Sequence, residues 1–314
     1  MHRVSPFLFV FIGLLTCGVA YAKTPSIAVV YPEVREPFRG VFLEIVHGME
    51  EELGQPVTHY RLTDQPDSTG TLIAQMKKDG IDVVVTLGRA GYTAAKSISG
   101  IMPVVVGAVL LPPGQESQGL SGISLTPDAE ILFTRLKELV PNAKEVTVIY
   151  DPDRNSEQIA RAQDAAQARG LILHALPAGD SRQAAEMYRK VLLDIKDGSV
   201  AIWLPLDNAA MDEQALLPLV LREAWDKSFV VFSSSLDHVR KGALFSLYPD
   251  NLGLGRSLAV MARNRAQGLS QHSATIEPLQ DVSIAVNLRT AEHLGLRFAN
   301  DLSRKFGVTF PSRP

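Results

Sequence analysis

The stretch EVTVIYDPDRNSEQIARAQDAAQARG, residues 145–170, sets the pattern that most of the chain repeats. Its first six residues are rich in β-branched side chains, which is typical of a buried strand. A short polar turn and a helical stretch that ends in glycine come next. Because strand and helix patterns alternate in this way, the sequence predicts successive βαβ units, a parallel sheet and an α/β fold.

The same periodicity predicts ten strands and seven main helices. The strands are expected at residues 26–31, 56–62, 82–88, 103–109, 145–151, 171–177, 200–206, 229–235, 243–248 and 281–287. The helices are expected at 37–54, 68–80, 90–99, 128–140, 156–170, 181–198 and 211–228.

One small, polar segment, residues 117–127, interrupts the rhythm and is interpreted as a crossover between two lobes. Residues 248–268 and 277–287 supply two more candidate crossings. We expect an N-terminal lobe from 23–120 plus about 249–270, and a C-terminal lobe from 121–248 plus about 271–314. Two doubly wound lobes joined by several strands form a hinged cleft, and ligands bind beyond the carboxyl ends of such strands.

The first 22 residues have the features of a cleaved signal peptide. Arg3 precedes an apolar run at residues 7–20, and the small-residue pattern Ala20-Tyr21-Ala22 follows it. The run of about 14 residues is shorter than the roughly 20 that a membrane span needs, so cleavage after Ala22 is expected. Cys17, the single cysteine, lies inside this segment. Lipid attachment there is not expected, since Thr16 stands where lipoprotein signals usually have Gly, Ala or Ser.

Composition argues against several classes of function. The chain has 31 basic and 34 acidic residues and no basic run, so a nucleic-acid partner is not expected. The histidines are scattered without metal-ligand spacing, and no metal or other cofactor is expected. Ser233 to Ser235 lack a nucleophile elbow. Residues 253–258 do not follow the first strand of a βαβ unit, so they are not a dinucleotide fingerprint.

The turn YDPDRNS at residues 150–156 permits several interpretations. A calcium loop fails, because Ser156 and Ala162 stand where glycine and a bidentate glutamate are required. A carboxylate pair for acid/base chemistry lacks a basic partner nearby in sequence. Two readings remain: a solvated turn in which Asn155 or Ser156 caps the next helix, or a cleft wall formed by Tyr150, Asp151 and Asn155.

Other candidate ligand-binding residues follow strands elsewhere. Gly88 and Arg89 lie at a helix start, where free amides attract anions and a guanidinium fork matches a carboxylate, although Arg89 is equally consistent with a surface charge. Asp250 lies at a proposed crossing, where a helix cap is the alternative. Tyr31 and Ala108 complete the set on this side of the cleft.

Several passages together resemble the type I periplasmic binding proteins, specifically the ABC-transporter substrate-binding proteins that include tryptophan and tyrosine binders. These passages are DVVVTLG, PVVVGAVLLPP, LSGISLTPDAEILFTRLKELVPNAKEVTVIYDPDRNS, LPLDNAA, GALFSLYPDNLGLGRSLAVMA and VNLRTAEHLGL, which lie in order within residues 25–298. Asp207 and Asn208 in LPLDNAA match a family pair that usually meets ligand, while a helix cap is the alternative for Asp207. Where aromatic binders tend to have YYDLG, this chain has Asp250 followed by NLGLG, without the aromatic platform.

The resemblance implies a periplasmic, monomeric, non-catalytic protein that holds a small polar, amino-acid-like ligand between two lobes. Its partner would be an ABC permease in the inner membrane. A binding protein that reports its ligand to a membrane signalling receptor is the alternative. An exported two-lobed enzyme is a third hypothesis, and it would need convergent acid/base groups in the cleft.

Overall fold

The computed structural model describes residues 24–63, 68–111, 119–206, 211–269 and 275–311. The predicted signal peptide and the predicted site residues Asp207 and Asn208 therefore lie outside the described residues. Within these ranges the chain forms two α/β lobes, each built around one mostly parallel sheet.

The first lobe contains a six-stranded sheet in the order β11-β5-β4-β3-β1-β2. Its strands are β1 (Ile27–Pro32), β2 (Thr58–Leu62), β3 (Val83–Leu87), β4 (Val104–Val109), β5 (Ser121–Pro127) and β11 (Ile276–Leu279). Its helices are α1 (Phe38–Leu53), α2 (Ser68–Lys78), α3 (Gly88–Ile98) and α9 (Asn251–Ala266). Apolar clusters cover both faces of this sheet, which explains why β3 is apolar or buried at every position.

The second lobe contains a seven-stranded sheet in the order β13-β12-β10-β9-β8-β6-β7. Its strands are β6 (Glu145–Tyr150), β7 (Ile172–Pro177), β8 (Val200–Leu204), β9 (Val230–Ser233), β10 (Phe245–Pro249), β12 (Val282–Asn287) and β13 (Phe306–Phe310). Its helices are α4 (Ala129–Leu139), α5 (Pro152–Ala168), α6 (Ser181–Asp194), α7 (Leu216–Lys227), α8 (Leu236–Lys241), α10 (Leu288–His293) and α11 (Asn300–Ser303). Strand β12 runs antiparallel to β10, and the other pairs are parallel.

Three connections join the lobes and form the hinge: β5 to α4, β10 to α9, and β11 to β12. An aspartate lies at each connection. Asp128 caps α4 and its other carboxylate oxygen accepts from Gln280 Nε2 at 2.6 Å. The Asp250 amide donates to the Asp281 carbonyl at 3.0 Å, and Asp281 accepts from Ser257 Oγ at 2.6 Å. The three connections are thus cross-linked by hydrogen bonds.

The sequence predicted most of this architecture. All ten predicted strands are confirmed, as is the two-lobed α/β class. Strands β5, β11 and β13 were not predicted as strands; β5 and β11 pair in the first sheet, and β13 pairs with β12 in the second. The first crossing therefore follows Pro127 rather than residue 120, and the last follows Leu279 rather than preceding residue 271. Small residues in β5 permit close pairing, because a Cβ on Gly122 would lie 2.1 Å from the Val106 carbonyl oxygen.

Candidate functional site

A cavity of about 620 Å³ lies between the two lobes beside the hinge. We call it the inter-lobe cavity, and define it by its lining residues. These are Leu110, Leu111, Ser124, Thr126, Pro127, Ile276, Glu277 and Pro278 from the first lobe, Asp128 and Ala129 at the hinge, and Asp153, Arg154, Asn155, Glu157, Gln158, Arg161 and Leu206 from the second. A cavity with walls from both lobes is the arrangement expected for a ligand that draws the lobes together.

Asn155 is the predicted site residue that lines this cavity. It lies in the first turn of α5 and is only 4% exposed. Its Nδ2 donates to the Leu206 carbonyl oxygen at 3.2 Å, and because that oxygen only accepts, the contact fixes which side-chain atom is nitrogen. The remaining Oδ1 has no hydrogen-bond partner among the described residues. A buried acceptor without a donor is costly, so this oxygen is suited to a ligand donor.

The neighbouring residues of the turn at 150–156 have structural contacts. Asp151, rather than Asn155 or Ser156, is the N-cap of α5 and accepts from the Asp153 amide at 2.9 Å. The predicted cap was wrong because Pro152 occupies the first helical position, where its missing N–H is not needed, and starts the helix four residues earlier. Arg154 Nε lies 3.4 Å from the Asp151 carboxylate. Tyr150 is half-buried and packs on the second-lobe core.

The first-lobe candidates Tyr31 and Gly88 come together around Phe42, an aromatic residue that was not among the predicted site residues. The rings of Tyr31 and Phe42 stack with centroids 5.9 Å apart, and Tyr31 Oη lies 3.3 Å from His59 Nδ1. Gly88 has a φ of 74°, and a Cβ there would lie 3.0 Å from the Phe42 ring. Phe42 therefore covers the start of α3 at the carboxyl edge of the first sheet.

Arg89 is exposed in the first turn of α3. The residue before the helix, Leu87, provides no side-chain cap for the first-turn amides. Asp250 is the N-cap of α9 and accepts from the Gly253 amide at 3.2 Å. This capping contact was the alternative considered for Asp250.

Residues 56–307, most of the chain, match the family described as ABC transporter substrate binding protein. The chain belongs to this family. Proteins of this kind bind a substrate without transforming it and typically work outside the cytoplasm. No curated protein matches the chain at a significant level. Among the described residues, no helix combines the length and apolar character that a membrane crossing requires.

Solved structures share the fold of this substrate-binding protein. A ligand-free, open substrate-binding protein with adhesive properties from Clostridium difficile is 16% identical, with 92% of this chain and 100% of that chain covered and a TM-score of 0.63. An ABC domain in complex with L-Trp from Streptococcus pneumonia is 19% identical, with 90% and 100% covered and a TM-score of 0.50. A conserved domain protein from Vibrio cholerae is also 19% identical. The match covers 91% of this chain and 100% of that chain, with a TM-score of 0.50.

One polar network in this substrate-binding protein, with Ser233 and His238 buried and its acidic member exposed, has the composition of a catalytic triad. Ser233 Oγ lies 2.7 Å from His238 Nδ1, and His238 Nε2 contacts the Glu213 carboxylate, which also binds Lys241. Partial burial raises the pKa of Glu213, but the hydrogen bonds from Lys241 and His238 outweigh that effect and hold it below its usual value. Ser233 is 0% exposed, so a substrate carbonyl has no access to it. These hydrogen bonds connect α8 to the segment that precedes α7.

Ala108, predicted to contact ligand, lies at the end of β4 with a φ of 54°. Pairing between β4 and β5 shifts register between Val106 and Val109, so the strand carries an irregularity at this point. A left-handed conformation costs a residue with a Cβ about 1–2 kcal/mol. Such strain is often retained at binding sites, where the backbone must point towards a ligand.

Ala108→Gly is expected to stabilise the ligand-free protein. Relief of about 1–2 kcal/mol of strain exceeds the roughly 0.4–1 kcal/mol entropy cost of glycine, so a net gain of about 0.5–1 kcal/mol is expected. Urea unfolding measures this gain. Ala160→Gly is the control, because Ala160 is exposed in the interior of α5, where glycine should destabilise by about 0.5–1 kcal/mol. Equal losses in both variants would refute the strain at Ala108.

Proposed function

We propose that this is a periplasmic solute-binding protein that captures a small polar, amino-acid-like ligand between its lobes and delivers it to an ABC permease. The observation that carries the proposal is the inter-lobe cavity with the unpartnered, buried Asn155 Oδ1 on its wall. Membership of the ABC transporter substrate binding protein family supports the same function.

Closure follows from ligand contacts on both lobes. A ligand shifts an equilibrium between open and closed forms only by its difference in affinity for the two, so contacts from one lobe alone would not close the cleft. In the proposed site, the second lobe contributes Asn155 on the wall of the inter-lobe cavity, with Asp151 and Tyr150 of the same turn as further proposed contacts outside the lining.

On the first lobe, Tyr31, Ala108 and the start of α3 at Gly88 and Arg89 would contact the ligand from outside the lining of the inter-lobe cavity. Asp207 and Asn208, which follow β8 in the sequence, and Asp250 at the hinge complete the proposed ligand-binding set. Asp250 already caps α9 with one carboxylate oxygen, which leaves the other for a ligand cation.

Binding without turnover distinguishes this function from an exported enzyme. Small molecules released from the purified protein by denaturation should include one solute at equimolar amount, identified by mass spectrometry. Incubation of that solute with fresh protein should return it unchanged. A product formed at a catalytic rate, or the absence of any retained or rebinding solute, would count against the proposed function.

The periplasmic location predicts a specific mature N-terminus. Cleavage after Ala22 should leave a monomeric protein that begins at Lys23, since the small-residue pattern at 20–22 fits signal peptidase. Intact-mass measurement of periplasmic protein should give the mass of residues 23–314. A mass that corresponds to a lipid on Cys17, or to the full chain, would contradict this prediction.

A further inference from the structure

The charges on the wall of the inter-lobe cavity are unbalanced. Its lining includes four carboxylates, from Asp128, Asp153, Glu157 and Glu277, against two guanidinium groups. A cavity wall with an excess of negative charge raises the local concentration of cations.

Both arginines of the lining are held by carboxylates of the second lobe. Arg161 Nη2 lies 2.8 Å from Glu157 Oε1, one turn away on α5. Arg154 Nε lies 3.4 Å from the Asp151 carboxylate at the start of the same helix. These pairs account for both positive charges and for only one of the four lining carboxylates, because Asp151 is not itself part of the lining.

The other three carboxylates come from three separate elements. Asp153 lies in the first turn of α5, Glu277 lies on β11 across the cavity, and Asp128 lies at the hinge. Asp128 accepts hydrogen bonds from neutral donors, the Glu130 amide at 2.7 Å and Gln280 Nε2 at 2.6 Å. Among the described residues, none of the three forms an ion pair. Negative charge therefore faces the cavity from both lobes.

Asn155 Oδ1 independently indicates a ligand that donates hydrogen bonds. Asn155 is buried within the lining, its amide orientation is fixed by Leu206, and its free atom is an acceptor. An ammonium or guanidinium group carries several donors and no acceptor, which matches this oxygen as well as the carboxylates. Gln158 Nε2, also without a partner among the described residues, suits an acceptor elsewhere on the same molecule.

We propose that the inter-lobe cavity selects a small organic cation, whose ammonium or guanidinium group lies between Asp153 and Glu277 and donates to Asn155 Oδ1. The inference rests on the proposed solute-binding function and specifies the charge of the solute. Since the two carboxylates belong to different lobes, a cation bridges them and favours closure, whereas an anion is repelled by both.

The test measures thermal stabilisation of the mature protein by five probes of similar size: L-arginine, L-lysine, agmatine, L-leucine and L-glutamate. At least one of the three cationic probes should raise the melting temperature, and the leucine and glutamate probes should not. Asp153→Asn and Glu277→Gln should each lower the affinity for the cationic probe by about ten-fold, and the double variant should lose more affinity than either. Asp164→Asn, a carboxylate on α5 outside the cavity lining, should leave the affinity unchanged.

Different outcomes would refute the proposed cationic solute and the proposed solute-binding function. Stabilisation by leucine or glutamate alone, or equal affinities in wild type and the Asp153 and Glu277 variants, would overturn the cationic class while solute binding remained. Failure of all three cations to stabilise the protein would also overturn it. The proposed function would be refuted by a different result, namely the absence of any co-purified solute that rebinds.

Discussion

Gly255→Ala is expected to destabilise the protein by about 3 kcal/mol or more. A Cβ on Gly255 would lie 2.0 Å from the Ile45 carbonyl oxygen on α1, a backbone atom that cannot move independently of its helix. Gly48 of α1 makes the reciprocal contact, since its Cβ would lie 2.0 Å from the Leu252 carbonyl oxygen. Overpacking at such a contact costs about 1–3 kcal/mol where flexible side chains can adjust, and more against backbone.

Thermal unfolding measures this loss, which corresponds to a fall of about 5 °C or more in melting temperature for a chain of this size. Gly100→Ala is the matched control, because a Cβ at Gly100 would meet nothing within 4 Å. If Gly255→Ala melted within a degree or two of Gly100→Ala, α9 would not be packed on α1 as described. The position of α9 matters for function, because it leads directly from the hinge residue Asp250.

Asn155→Leu is expected to abolish most solute binding while the ligand-free protein stays folded. Leucine has nearly the same shape but removes the free Oδ1, so a ligand donor buried in the cleft would lose its partner. Loss of a hydrogen bond to a charged donor is worth about 1.5–3 kcal/mol, or more than ten-fold in affinity. The ligand-free stability should fall by no more than about 1–2 kcal/mol, because the unpartnered oxygen disappears while the part-buried Leu206 carbonyl loses its donor.

Calorimetric titration of the stripped protein with the solute extracted from wild type measures this effect. Gln163→Leu, on the exposed side of the same helix, is the control and should bind normally. Unchanged affinity in Asn155→Leu would place the solute away from the inter-lobe cavity, even if the family assignment stands.

The fold was predictable because a parallel strand that is buried on both faces has apolar residues at nearly every position, and such runs are visible in the sequence. Strands such as β3, with five buried residues in succession, are clear in the sequence. Strand β11 is not, since it has four residues with Pro278 among them and lies at the sheet edge, where proline is tolerated. Strand β5 is rich in small and polar residues, a composition that also fits an extended linker.

The candidate site was less predictable, because its members meet only through the pairing of distant elements. Asn155 was selected from its position after a strand, and the structure places it on the cavity wall. Glu277 could not be selected, since its role depends on β11 joining the first sheet beside β5. Phe42 lies within the amphipathic pattern of α1, where an aromatic residue is usually interpreted as part of the core. The sequence therefore did not indicate it as a site residue.

Small-angle scattering tests the central claim, that a solute is held between the two lobes. The radius of gyration of the mature protein should be measured after removal of bound solute and again after saturation with the solute extracted from wild type. We expect a smaller radius in the saturated protein, and no change for Asn155→Leu at the same solute concentration. An unaltered radius in wild-type protein that mass spectrometry shows to be fully occupied would contradict it.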